Sequence, residues 1–126
     1  MFNKNDFKLI KGPYSSNYEY ENDAYKVEIP EVDFNEKTVS CMKNLVELYP
    51  VKVKEIAKTF AELEWFRDAF PKETEESIES KLGKAIFKYL PCSVIISYLN
   101  HTIDEDHIID VEVGGLYESF DVSLDG

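Results

Sequence analysis

Positive charge is missing from the end of this chain: no lysine or arginine follows Lys88. All 14 Lys and Arg residues precede residue 89, where they meet 17 Asp and Glu, while residues 89–126 carry eight acids and no base. Of the formal net charge of -11, -8 therefore falls on the last 38 residues. A surface of that sign repels nucleic-acid phosphates and anionic membranes, and its field speeds the approach of a basic protein. Neither nucleic acid nor membrane is expected as a partner.

Other scarcities narrow the choice further. Two cysteines, Cys41 and Cys92, are too few for a disulfide framework and too widely spaced for a metal-binding clip. Both lie in apolar stretches, "VSCMKNL" and "LPCSVII", and read as small buried thiols of a reducing compartment. No apolar run is long enough for a transmembrane helix. The start, "MFNKNDFKLIKG", places charges where a secretory leader needs an apolar segment, so a cytoplasmic location is expected. No G-x-S-x-G is present, and "VEVGGLYE" lacks the Lys and the following helix of a phosphate loop. No repeat or Gly/Ser linker interrupts the chain.

What is present suits one domain over residues 1–126. Hydrophobic residues make up 44% and aromatics 13%, too many for intrinsic disorder despite 31% charged residues. "NYEYENDAYKVEI" (17–29) reads as a hairpin with Asn22 and Asp23 at a two-residue turn, which sets Tyr20 opposite Tyr25, Tyr18 opposite Val27 and Glu19 opposite Lys26. "FKLI" adds an edge strand, connected by "KGPYSS". Helical spacing then takes over. Asp33 and Glu36 resemble a capping box for a helix with the stripe Val39, Met42, Leu45, Val46 and Tyr49, ending at Pro50. A second stripe, Val53, Ile56, Ala57, Phe60, Leu63, Phe66 and Phe70, ends at Pro71, with Trp65 off it. A third helix is expected from a Thr74 cap through Ile78, Leu82, Ala85, Ile86, Tyr89 and Leu90. Its first turn holds Glu75 and Glu76 and its last Lys84 and Lys88, as the helix dipole favours.

Strand character returns with "SVIISYL" (93–99), an interior strand, and with "HIIDVEVGGLYESFDVSLDG", a hairpin turning at Gly114-Gly115. That turn sets Val113 opposite Leu116, Val111 opposite Glu118 and Ile109 opposite Phe120. It aims Asp110, Glu112, Tyr117, Ser119 and Asp121 away from the core, and leaves Glu118 as an unexplained acid on the inner face. The expected fold is α+β: an antiparallel sheet, built from an N-terminal hairpin and a C-terminal meander, packed on three central helices. Phe60, Leu63, Ile78, Leu82, Ile95, Val111 and Phe120 should share the core.

The segment "NHTIDEDHIIDVEVGG" (100–115) holds both histidines, His101 and His107, with five acids. Their spacing is not that of a helical metal-binding pair, and adjacent strand acids facing water have neither the pocket nor the fixed separation that acid/base catalysis requires. The segment reads instead as a solvated turn leading into an acidic surface. Asp104, Glu105, Asp106, Asp110, Glu112 and Asp121 would meet a basic protein, with Tyr117 as the aromatic anchor. No metal, cofactor or catalytic residue is expected. The alternatives are a generic interaction domain and, behind it, a small metal-dependent enzyme using His101, His107 and nearby acids.

In size, acidity, α+β order and the concluding "DHIIDVEVGGLYESFDVSLDG" hairpin, the chain resembles the small acidic cytoplasmic immunity proteins of bacterial toxin systems. That resemblance implies a non-enzymatic protein that neutralises a cognate toxin, often a basic nuclease, by covering its active site or substrate path.

Overall fold

A computed structural model describes residues 1–91 and 93–125. Seven strands form one sheet in chain order: β1 (Lys8–Lys11), β2 (Ser16–Glu21), β3 (Tyr25–Pro30), β4 (Ala85–Leu90), β5 (Ser93–Tyr98), β6 (Ile108–Gly114) and β7 (Ser119–Asp125). Three α-helices stand between β3 and β4: α1 (Glu36–Glu62), α2 (Glu64–Ala69) and α3 (Glu75–Leu82). Neighbouring strands run antiparallel except β3 and β4, which are parallel. The sheet is therefore mixed rather than antiparallel. The helical crossover delivers the chain back to the same end of the sheet, which a parallel pair requires.

The N-terminal hairpin forms with its turn widened. Asn22 Oδ1 accepts hydrogen bonds from the backbone N–H of Ala24 and Tyr25, both at 2.9 Å, so the side chain builds the turn. The register moves by two residues against the expected one: Tyr18 faces Ile29, Glu19 faces Glu28 and Tyr20 faces Val27. Facing is preserved, because a two-residue slip returns each side chain to its own side. Lys26 lies 3.1 Å from Glu19 and 3.3 Å from Glu28, which offsets the repulsion of two acids placed directly opposite each other.

Several expected helix boundaries are overturned, and the expected second helix is divided at Leu63, where α1 ends and α2 begins. The first helix does not stop at Pro50; α1 runs through it to Glu62. Its buried residues Val39, Met42, Leu45, Val46, Val53, Ile56, Ala57 and Phe60 keep one phase on both sides of the proline. Burying that unbroken stripe outweighs the one lost N–H and the crowding of the Val46 carbonyl. The cap is Asn35, not Asp33: its side chain accepts from Thr38 N, and Thr38 Oγ1 accepts from Asn35 N. The expected third helix breaks in two. Thr74 does cap α3, but Gly83 (φ 76°) ends it after Leu82. An added Cβ at Gly83 would also come within 3.2 Å of the Asn100 carbonyl. Ala85–Leu90 then forms β4, with Ala85 and Phe87 buried on one face and Ile86 and Lys88 on the other. Lys81 thus supplies the base of the last helical turn, while Lys84 pairs with Glu21 and Lys88 belongs to the sheet.

The helices cover one face of the sheet, and the core lies between them. Met42, Ile56, Phe60 and Ile78 pack there with Val27, Ile29, Phe87, Ile96, Ile109, Val111 and Val113, all essentially solvent-free. Leu63 and Phe120 reach this core only partly. Ile95 does not reach it at all: it pairs with Glu112 on the opposite face, and its neighbours Val94 and Ile96 point inward instead. Cys41 is exposed rather than buried, because its place on α1 falls off the apolar stripe. Cys92 lies outside the described residues. Among the described residues no helix is long and apolar enough to cross a membrane.

Candidate functional site

The face of the sheet away from the helices has two halves of different charge. Across β1–β4 it carries Lys8, Lys26 and Lys88 interleaved with Glu19, Glu21 and Glu28. There Lys26 neutralises two acids, and Lys84 Nζ lies 2.6 Å from Glu21. Across β5–β7 the same face presents Asp110, Glu112, Asp121 and Asp125 with no base among them. The expected acidic surface is therefore real on these strands, bounded on one side by a balanced region.

The register of β6 and β7 decides which acids meet. Gly114 faces Ser119, Glu112 faces Asp121 and Val111 faces Val122, so the turn spans four residues, 115–118, instead of two. Glu118 sits in that turn and is exposed, which removes the inward acid that the two-residue turn demanded. The shifted register keeps Asp125 on the open face but carries it along the strand to a position diagonal to Asp110. With Ile95, Glu112, Asp121 and Ser123 these two carboxylates line a shallow recess of about 150 Å³.

Hydrogen bonding orders part of the recess. Ser97, itself buried, donates to Asp110 Oδ1 at 2.5 Å, and Ser93 donates to Glu112 Oε2 at 2.8 Å. The neighbouring Asp110 carboxyl raises the pKa of Asp125. Neighbouring carboxylates repel one another, so a cation brought into the recess relieves repulsion already present there.

The rest of the expected set is placed elsewhere. Tyr117 does not stand on the acidic face: it is 5% exposed, has φ of 62°, and donates through its hydroxyl to the Leu45 carbonyl of α1 at 2.5 Å. The four-residue turn swings it under the sheet end, where burial raises its phenol pKa. It joins a buried tyrosine cluster in which the Tyr49 and Tyr98 hydroxyls lie 2.6 Å apart, and burial pushes Tyr49 up to about 12.

Asp104, Glu105 and Asp106 lie in the loop between β5 and β6. That loop is tied to α3 by the Thr102 N–H, which donates to the Lys81 carbonyl at 2.9 Å. Asp104 is committed to the loop itself: Oδ1 accepts from the N–H of Asp106 and His107, and Oδ2 lies 2.8 Å from His107 Nδ1. Burial alone would raise its pKa, but the bonds from His107 prevail and lower it. Glu105 and Asp106 remain exposed at the loop tip.

His101 is buried, with Nε2 2.6 Å from the His107 carbonyl and Nδ1 accepting from Ile103 N–H at 3.2 Å. Both ring nitrogens are thus spent on backbone, which makes His101 the pin of the loop. Among the described residues no group of three or more His, Cys, Asp and Glu side chains has the geometry to hold a metal ion.

A wider concavity lies on the helical side. An open groove of about 570 Å³ runs between the first half of α1 and the turns at the sheet end, lined by Leu45, Leu90, Val94, Val113 and Leu116, with Cys41 and Lys37 at its rim. Its apolar wall carries no paired acid and base.

Sequence reasoning missed Asp125, Ser123, Ser97 and Ile95 as parts of the acidic face. The warning was Glu118, whose inward placement called for a slipped hairpin or a wet end, and the slipped register brings Asp125 alongside Asp110. Comparison with protein-family models, with curated proteins and with solved structures finds no match for this chain.

Proposed function

We propose that this protein is a non-enzymatic binding protein that neutralises a basic protein partner, as an immunity protein neutralises its cognate toxin. The observation that carries this reading is the unbalanced half of the open sheet face. Asp110, Glu112, Asp121 and Asp125 stand together without a base, whereas across β1–β4 lysines stand among the acids and Lys26 and Lys84 pair with three of them. Surfaces kept only for solubility intersperse the two signs. Glu105 and Asp106, exposed on the adjoining loop, extend the field toward one end of β6. A nuclease toxin, basic where it holds phosphates, fits such a face, whose carboxylates would occupy the positions of those phosphates. A cytoplasmic location belongs to the same proposal and is supported by the free Cys41 thiol.

The variant that tests this must spare the fold. Asp110 is a poor choice, since its reversal would leave the buried Ser97 hydroxyl unpartnered at a cost of about 1–3 kcal/mol. Glu112 and Asp121 are exposed and directly opposite each other. Glu112→Lys with Asp121→Lys should therefore change stability by only about 0.5 kcal/mol each. Against a partner captured from the native organism, the double variant should associate at least about tenfold more slowly at low salt. Raised ionic strength should slow the wild-type protein toward the same rate. Unchanged association of the double variant, measured by surface plasmon resonance at two ionic strengths, would overturn the proposal.

A further inference from the structure

The sheet has two free edges, and they are guarded differently. At one edge β1 has only four residues, two of them lysines, Lys8 and Lys11. Short edge strands bearing Lys resist the addition of another chain. At the other edge β7 runs for seven residues, pairs with β6 without interruption from Ser119 to Asp125, and contains no Lys, Arg or Pro. Among the described residues no strand lies along its outer side, so alternate N–H and C=O groups along it face outward without a strand partner.

The side chains of β7 are also incompletely covered. One strand further in, Ile109, Val111 and Val113 are fully buried, while Phe120, Val122 and Leu124 on the same inner face are only partly so. The helical layer thus overhangs the edge without closing it, and one more strand would complete the burial. On the open face the edge shows Asp121 and Asp125, with Asp110 and Glu112 one strand in. A second copy of this chain would bring like charges to that position.

We infer that β7 is an acceptor for an extended segment of a basic partner, which adds to the sheet as an eighth strand. The segment would alternate in character. Lys or Arg would fall beside Asp121, Ser123 and Asp125 on the open face, and apolar side chains beside Phe120, Val122 and Leu124 on the inner face. The inference rests on the acidic face being a binding surface and adds how the partner is held: backbone pairing supplies affinity and the carboxylates select the sign.

The test uses the whole protein and a synthetic decapeptide of alternating lysine and valine, followed by fluorescence anisotropy at low salt. Two further peptides carry N-methyl groups, one on every lysine nitrogen and one on every valine nitrogen. Only one of these sets can donate to the edge, so one methylated peptide should bind at least about tenfold more weakly than the parent while the other retains most of its affinity. The parent should also slow hydrogen exchange of amides within Phe120–Leu124. Equal binding of all three peptides, together with loss of binding by the Glu112→Lys, Asp121→Lys protein, would overturn strand addition and leave the acidic surface standing. The expected methylation pattern with undiminished binding to that variant would overturn the basic character assigned to the partner. No binding of the parent at about 1 mM would overturn the acceptor role of β7, as would sedimentation showing that the edge is already occupied by a second copy.

Discussion

Truncation of Tyr117 separates a surface anchor from a structural pillar. As an exposed interface residue it would leave stability within about 0.5 kcal/mol when removed. In the structure its ring is 5% exposed, its centroid lies 6.1 Å from that of Phe120, and its hydroxyl bonds the Leu45 carbonyl across 72 positions of sequence. Tyr117→Phe keeps the ring and deletes the hydroxyl, which should cost about 0.5–1.5 kcal/mol. The lower half of that range is expected, since a carbonyl within α1 keeps its intrahelical donor. Tyr117→Ala also opens a cavity, and should cost about 3–5 kcal/mol. At about 4 °C per kcal/mol for a chain of this length, that lowers Tm by about 12–20 °C.

The backbone adds a sharper expectation. At φ of 62° any L side chain is strained, so Tyr117→Gly should be as stable as Tyr117→Ala or more so, by up to about 1 kcal/mol. Glycine is ordinarily the worse replacement. Urea and thermal melts of the three variants measure all of this. A loss below about 1 kcal/mol in Tyr117→Ala would put the ring back at the surface and refute the four-residue turn that buries it.

Pro50 is exposed within α1, so Pro50→Ala removes no packing while restoring a helix donor. A gain of about 2 kcal/mol should follow from helix propensity less the entropy returned to the unfolded chain, and a lower Tm would show that the sheet needs the proline in place. Glu73 has its pKa lowered, chiefly by its hydrogen bond from Lys81 at 2.8 Å, with burial opposing and Ser77 assisting. A depressed carboxyl stabilises above its unfolded pKa, about 4.3, and the contribution is lost as pH falls through the folded value. Wild type should therefore melt above Glu73→Gln at neutral pH, and the difference should close in acid; a difference independent of pH would remove the ion pair as its cause.

Periodicity and charge in the sequence carried much of this architecture. The tyrosine-rich hairpin, the interior strand at 93–98, the C-terminal hairpin and the apolar stripes of the helices are all patterns of two or of three and four residues, which local burial imposes on any chain. Charge asymmetry is a property of composition and survives any error of register. Boundaries were a different matter. Pro50 reads as a stop because it breaks a helix in isolation, and only the sheet under α1 makes the continuous stripe worth more than the lost donor. Ala85, Ile86, Tyr89 and Leu90 fit a helix and a strand about equally well. Gly83 and the free side of β3 settle the matter, and β3 is more than fifty residues away in the chain.

The acidic face depended most on tertiary structure. Which acids lie together is a question of turn length, since two more residues in the turn carry Tyr117 from the open face into the core and bring Asp125 opposite Ile108, diagonal to Asp110. Sequence alone determined that residues 89–126 are acidic, alternate strand and turn patterns, and have no base to neutralise them, because those are properties of the residues themselves. Tertiary structure decided where that charge points, because strand register is set by how a turn closes and by which side chains find room beneath the helices.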